Sequence, residues 1–458
     1  MLESHFFQPN PEVPVRRILI FLLLLTASLA SALERQPNAD YRARRQALAA
    51  RTNGGAVVLF AATEAEGPNA LYGFRQDEDF YYLTGWSQPG GGLLIAPATE
   101  AKGSAPARPY TEVFFLPQRN PSQERWTGPK LGPSDSMAAE TTGFDRVLPL
   151  DAMRDELARV LPSPRASVYT DIREAGEISP SAVGIEWLRR ANAFPNYVSF
   201  SDAKPLIAAL RTVKDKGEIE LIRKATDASI AAHQAVPKAM RPGVSEQQIS
   251  ALMQYEFGRR GCERPAYSPI VGAGFSGTVL HYSQNSGTLQ DDDLVVMDVG
   301  GEYSMYATDI TRTLPANGKF TARQREIYNI VLGAMEAAEK AFVAGKSTLG
   351  RTNATSLHKV AAEYINTHGK DLHGQPLGQY FIHGLSHYVG LNVHDPGESS
   401  APLAPGMVFT IEPGIYIPEE KLGVRIEDMY YVDESGKLVR LTSGLARTVE
   451  EIERAMAK

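Results

Sequence analysis

Leu294-Val295-Val296-Met297-Asp298-Val299-Gly300 is an apolar run carrying a single carboxylate near its end. With a side-chain period of two, Leu294, Val296 and Asp298 share one face of a strand, so the acid points where two aliphatic side chains point. An ionised carboxylate in that setting is costly unless something compensates it. The same signature recurs downstream. Asp309 lies in Tyr306-Ala307-Thr308-Asp309-Ile310-Thr311, expected on the partner strand of a hairpin through Gly301. Glu412 lies in Met407-Val408-Phe409-Thr410-Ile411-Glu412-Pro413-Gly414, and Glu427 in Val424-Arg425-Ile426-Glu427-Asp428. A fifth strand-like segment, residues 383–394, carries His383, His387 and His394.

Helices flank these strands. Residues 216–240 read as a long amphipathic helix and a second opens at Ser245, whose side chain and that of Gln248 suit a capping box. Thr321 and Gln324 suit another. Residues 215–458 therefore run through one plan twice: a helix pair and then strands around 294–312, a helix pair and then strands around 380–432. That order suggests an internal duplication with a cleft between the halves. Residues 39–206 alternate short apolar strands, such as 56–60 and 112–116, with loops rich in Gly, Pro and Ser, which suggests a small mixed α/β domain. The boundary falls between Asp202 and Lys214, and the fold class is α+β.

At 458 residues the chain is long enough for two domains, and its 43% hydrophobic and 22% charged residues are those of a globular protein. A net charge of -6 argues against a nucleic-acid partner and favours peptides or small molecules. Near the N-terminus, Arg16-Arg17, the apolar run 18–25 and Ala30-Ser31-Ala32 have the layout of a signal peptide, 1–32. The apolar run is too short for a stable membrane anchor. The expectation is export, periplasmic or secreted, with cleavage near Ala32. Cys262 is the only cysteine, so no disulfide forms within the chain.

Two motifs are discounted. Gly272-Ala273-Gly274-Phe275-Ser276-Gly277 spells a dinucleotide fingerprint, but a strand, 278–282, is expected where a helix is required, so the glycines read as a tight turn. Gly345-Lys346-Ser347 fails as a phosphate loop because Lys340 stands where its first glycine belongs. Neither a zinc-binding H-E-x-x-H nor a serine elbow G-x-S-x-G occurs.

Taken singly, each of the four acids reads as a surface or salt-bridged carboxylate. Converging in one cleft, they would repel one another unless cations neutralised them. Two divalent ions bring four positive charges against four negative ones. Oxygen-dominated ligation with one imidazole suits manganese, cobalt, iron or zinc.

In this pattern the chain resembles the pita-bread metallopeptidases, and among them aminopeptidase P. The resemblance rests on VMDVG, TDITRT, HGLSHYVGLNVH, TIEPGIY and RIED in the second half, and on RRQAL, FRQDEDFYYLTGW and residues 113–132 in the first. It implies a duplicated pita-bread catalytic domain, 215–458, behind an aminopeptidase P-like N-terminal domain, 39–206. It implies two divalent ions, manganese first, with Asp298 on one, His387 and Glu412 on the other, and Asp309 and Glu427 bridging them. His281 and His394 match the family's non-ligand histidines beside the reacting amide, and His383 a further one behind them. Arg425, two residues before Glu427 and on the same strand face, matches an arginine that shapes the proline-side pocket. Tyr388 and Pro396 depart from the common pattern and bear on pocket shape.

The implied reaction is release of the N-terminal residue from peptides whose second residue is proline, by a hydroxide bridging the two metals, with Glu412 shuttling the proton and His281 or His394 stabilising the oxyanion. An Xaa-Pro bond is a tertiary amide without N–H, which ordinary peptidases cannot grip. A homo-oligomer is implied as well, with Phe80-Tyr81-Tyr82 available to a neighbouring subunit's cleft. The alternatives are an Xaa-Pro dipeptidase, disfavoured by the N-terminal motifs, a non-catalytic binding protein on the same fold, and a metal-free creatinase-like hydrolase. The last two are opposed by five intact ligand positions.

Overall fold

The structure, a computed structural model, describes residues 33–64, 72–101, 107–161, 167–172 and 198–457. The proposed signal peptide lies outside them. Among the described residues no helix is long and apolar enough to cross a membrane.

Six strands build the first sheet: β1 (Ala56–Phe60), β2 (Gly92–Ile95), β3 (Glu112–Leu116), β4 (Arg146–Pro149), β5 (Ser167–Thr170) and β6 (Ser199–Asp202). Their order is β4-β3-β2-β1-β5-β6. The β1–β2 and β2–β3 pairs are antiparallel and the other three parallel, so the sheet is mixed as expected. The helix Asn38–Ala49 contains the RRQAL motif, and both arginines are buried. The Nε of Arg45 donates to Glu112 at 2.9 Å and its Nη1 to the Leu83 carbonyl at 2.9 Å, so it ties its own helix to β3 and to the helix Glu78–Thr84. Arg44 reaches out of the sheet, donating to Asp215 at 2.6 Å. Phe80, Tyr81 and Tyr82 do not present themselves to a neighbour: at 1%, 0% and 3% exposure they are core residues of their own chain. Their helix, Glu78–Thr84, is capped by Asp77 and ended by left-handed Gly85, which turns this aromatic face inward.

After the helix Lys204–Arg211, a short linker leads to Asp215, which caps the helix Lys216–Ala239 in a capping box with Glu218. The boxes at Ser245 and Thr321 are formed as expected. The helices Lys216–Ala239 and Glu246–Gly258 precede β7 (Arg264–Pro265), β8 (Ile270–Ala273), β9 (Leu294–Asp298), β10 (Gly301–Tyr303), β11 (Tyr306–Ala307) and β12 (Thr311–Pro315). The helices Ala322–Ala341 and Leu357–His368 precede β13 (Val408–Ile411), β14 (Gly414–Ile417), β15 (Leu422–Arg425), β16 (Asp428–Val432) and β17 (Leu438–Arg440). Each half thus holds a helix pair and an antiparallel three-stranded sheet, β12-β9-β8 in one and β13-β16-β17 in the other. One apolar core spans both halves, from Val271, Val295 and Met297 to Phe409, Ile411 and Val424.

Four local expectations are corrected. The hairpin after β9 does not turn at Gly301: β9 pairs with β12, Asp298 opposite Thr311, and β10–β11 form a nested hairpin turning at Ser304 and Met305, both at positive φ. Asp309 therefore sits in the short irregular step before β12. Residues 383–394 form no strand, since only Tyr388 makes a bridge, to Phe409, and the strands of this half begin at Val408. Residues 278–282 are not a strand either; Gly272 and Ala273 of the glycine-rich run end β8, and the rest of it turns in the 3-10 helix Gly274–Thr278. Glu427 occupies the break between β15 and β16, where the chain passes from one sheet to another.

Candidate metal centre

Each acid reaches the centre from a strand end or a strand break, where the backbone can turn a side chain out of the ladder. Asp298 ends β9, Glu412 follows β13, and Asp309 and Glu427 sit in the breaks just described. Gly300 makes the approach of the Asp298 and Asp309 arms possible, because a Cβ there would collide with the Thr308 carbonyl. His387 comes from the irregular segment, laced onto β13 by hydrogen bonds from Thr410 N to the His387 carbonyl at 3.0 Å and from Glu412 N to the Leu385 carbonyl at 2.9 Å.

The donors converge. One group of potential ligands is Asp298, Asp309 and Glu427, another His387, Glu412 and Glu427, and a third Asp309, His387 and His394. Glu427 belongs to the first two, and Asp309 to the first and third. The Nδ1 of His387 lies 3.1 Å from the Tyr388 carbonyl, which fixes a proton on that nitrogen. Its Nε2 then faces Asp309 at 3.2 Å, Glu412 at 3.5 Å and Glu427 at 4.0 Å. A lone pair aimed at three carboxylates requires a proton or a cation between them. Although burial alone lowers the affinity of His387 for a proton, the Asp309 hydrogen bond and the Glu412 charge prevail and push its pKa up to about 9. Burial and the neighbouring acids hold Glu412, Glu427 and Asp298 well above the usual carboxylate range. For Asp309 burial is overcome by the hydrogen bond and charge of His387, so its carboxyl stays low. Among the described residues, Glu427 Oε1 is buried without a hydrogen-bond partner. An orphaned carboxylate oxygen among three further acids and an imidazole is the donor set of a divalent-cation site.

Around this cluster stand two residues that sequence patterns missed, Tyr267 and Thr311, and two that they named, Arg425 and His383. The Tyr267 hydroxyl lies 2.6 Å from both Asp298 Oδ1 and Asp309 Oδ1 and can donate to only one of them at a time. Its setting, Pro265-Ala266-Tyr267-Ser268-Pro269, has no period that would single it out. Thr311 Oγ1 donates to Glu427 Oε2 at 2.8 Å. Arg425 is buried and donates to Asp298 Oδ2 at 2.7 Å and to the Tyr416 hydroxyl at 2.8 Å, so it orients a site acid. His383 is likewise behind the site, 2.9 Å from the Tyr416 hydroxyl and 2.8 Å from the Gly384 carbonyl. A cavity of about 340 Å³ opens beside Asp298 and Asp309, walled by Tyr267, Ile270, His281, Val393 and His394. His281 and His394 are thus on the open side of the cluster, and the His394 ring lies 4.0 Å from that of His387.

Comparison with known proteins agrees with this geometry. Residues 220–434 match metallopeptidase family M24, and residues 41–169 match the aminopeptidase P N-terminal domain. The Xaa-Pro aminopeptidase of Escherichia coli K12 is 34% identical over 440 residues, which cover 91% of this chain and 97% of that protein. Human Xaa-Pro aminopeptidase 3 is 31% identical over 437 residues, 87% of this chain and 80% of that one. Among solved structures, E. coli aminopeptidase P with the inhibitor Pro-Leu superposes with a TM-score of 0.78 at 33% identity, covering 92% of this chain and 99% of that one. Another structure of the E. coli enzyme is zinc-substituted with bound product. Fold and site together define a metallopeptidase. The chain belongs to family M24, in its aminopeptidase P branch, and is a metal-dependent aminopeptidase with a divalent-metal site and peptide substrates.

Proposed function

We propose that this enzyme releases the N-terminal residue from peptides with proline in second position, and that its centre takes two divalent ions. The observation that carries the reading is the pair of ligand groups sharing Glu427 beside an open cavity. Asp298 would hold one ion, His387 and Glu412 the other, and Asp309 and Glu427 would be shared between the two. His394 is close enough to serve as a ligand but is the exposed member of its group, so it is assigned to substrate. Four carboxylates and one imidazole favour manganese, with zinc, cobalt and iron as alternatives. When bound, the ions supply Lewis acidity that activates water and polarises the scissile carbonyl.

The chain's own residues do the rest. Asp298, at the cavity edge, faces the substrate's free amino group, which restricts cleavage to the N-terminus. Glu412 accepts and returns the proton. His281 and His394 present ring nitrogens to the carbonyl oxygen as charge develops. Arg425, through Asp298 and Tyr416, keeps the acid edge of the cavity in place, and His383 supports Tyr416 from behind. The tertiary amide offers no N–H to grip, so selection rests on the fit of the ring in the cavity. Export is part of the same proposal, supported by Arg16-Arg17, the apolar run and Ala30-Ser31-Ala32. The test is hydrolysis of an Xaa-Pro-Yaa tripeptide and the matching dipeptide by metal-stripped protein, with and without manganese. Metal-dependent release of Xaa from the tripeptide is expected. Cleavage of the dipeptide alone would overturn the length preference, and cleavage of neither would overturn the assignment of substrate.

A further inference from the structure

The turn that carries His394 is gripped from the other domain and from the segment that joins the two. Arg75, in the loop before the helix Glu78–Thr84, donates from Nη2 to the Leu391 carbonyl at 2.7 Å, while its Nε holds Glu302 at 2.7 Å. Arg211, at the end of the helix Lys204–Arg211, donates to Asn392 Oδ1 and Asp395 Oδ1, both at 2.6 Å, and to Asp79 Oδ1 at 2.6 Å. Lys214 in the linker donates to Asp395 Oδ2 at 2.9 Å. Asp395 closes the turn by accepting from Asn392 N at 3.1 Å. Arg211, Lys214 and Asp395 are each at most 8% exposed. A Cβ on Gly390 would press on the Asp395 carboxylate and the Lys214 stem, so the node has no slack.

His394 itself is held differently. Among the described residues its ring makes no hydrogen bond and rests on the ring of His387. The place of its nitrogens in the cavity is therefore set by the backbone of the turn, and the turn is held by its own backbone bonds, by Lys214 and by the two arginines.

We infer that Arg75 and Arg211 are positioning residues for His394, so that the N-terminal domain, through Arg75, and the segment joining the domains, through Arg211, shape the reaction centre across the seam. This rests on the reading of His394 as a substrate-facing group. The test uses full-length, metal-loaded protein and the variants Arg75→Ala, Arg211→Ala and His394→Ala, with each arginine variant also made in the His394→Ala background. For each, kcat and KM on an Xaa-Pro-Yaa tripeptide, bound metal and the melting temperature are measured. Each arginine variant is expected to lower kcat about 10- to 100-fold with metal content unchanged. In the His394→Ala background the same changes are expected to alter kcat less than about twofold, because a residue acting through another has nothing left to position. Full additivity in that background, or an unchanged kcat in both single variants, would overturn the proposal. Wild-type kcat in His394→Ala would instead overturn the assignment of His394, a failure visible before any double variant is read. If the loss of buried Arg211 prevents folding, Arg75→Ala carries the test, since it gives up one bond to the turn from a side chain that is 24% exposed.

Discussion

Two regions of this molecule bury charge, and they do so to opposite ends. Along the seam, cations nearly match anions, three to four: Arg211 and Lys214 face Asp79 and Asp395, and Arg44 faces Asp215 and Glu218. At the metal centre, Asp298, Asp309, Glu412 and Glu427 meet one guanidinium, from Arg425, and the imidazole of His387, while His383, whose burial holds its ring neutral, lies 3.9 Å from Glu412. A balanced cluster is complete as it stands, whereas an acid-rich one asks for a cation. The same buried carboxylate is thus a structural tie in one place and a ligand in the other, and the count of nearby positive charge tells them apart.

The sharpest way to break that distinction is Glu427→Gln. It is expected to abolish bound metal and to lower kcat/KM by at least about 10²-fold, read by metal analysis and tripeptide hydrolysis. Retention of metal would mean that the shared acid is not central. Asp395→Asn addresses the other region: it leaves buried cations underpaired and is expected to cost about 3–5 kcal/mol in denaturant unfolding while bound metal is unchanged. A drop in metal stoichiometry would merge the two regions into one. Adding manganese to stripped protein at about 1,000 times its Kd is expected to stabilise the fold by about 4 kcal/mol, and the seam variant should show the same increment. Tyr267→Phe, which takes the shared hydroxyl from Asp298 and Asp309, is expected to weaken metal affinity about 10-fold, measured by chelator competition.

A separate effect, on stability against pH, belongs to a site in neither region. His233 is buried against the Val299 carbonyl, and burial pushes its pKa down to about 4. The unfolded chain takes up this proton below about pH 6.5 and the folded chain only near pH 4. Stability is therefore lost as pH falls through that window, by up to about 1.4 kcal/mol per pH unit from this group. Urea midpoints of His233→Gln against the parent between pH 6.5 and 4.5 measure it, and equal slopes would exclude the effect.

Much of this was legible in the residues. β1 and β3, the boxes at Ser245 and Thr321, and β9 with Asp298 at its end follow from period and capping chemistry, because each depends on neighbours within a few positions. The acids stood out because they interrupt apolar runs. What was hidden is what depends on distance along the chain. Residues 383–394 look strand-like from their apolar content, yet their backbone is shaped by bonds to β13 and the seam. Tyr267 and Thr311 are ordinary polar residues until the fold brings them to the acids. Arg44 and Arg45 stand side by side in one motif, and nothing local shows that one ties its own helix to β3 and the other reaches Asp215.

The seam also bears on how the chain comes off the ribosome. The acid that answers Arg75 lies 227 residues later, at Glu302, and the one that answers Arg211 lies 184 residues later, at Asp395. While the first sheet emerges, both guanidiniums have only part of their final company and stay hydrated, which keeps that face wet and unfit for burial. A nascent chain halted before Asp395 should remain open to protease around residues 204–215, and one halted after the end of the second half should not. The seam, unlike the first domain's own core, therefore closes only after Glu302 and Asp395 have been made.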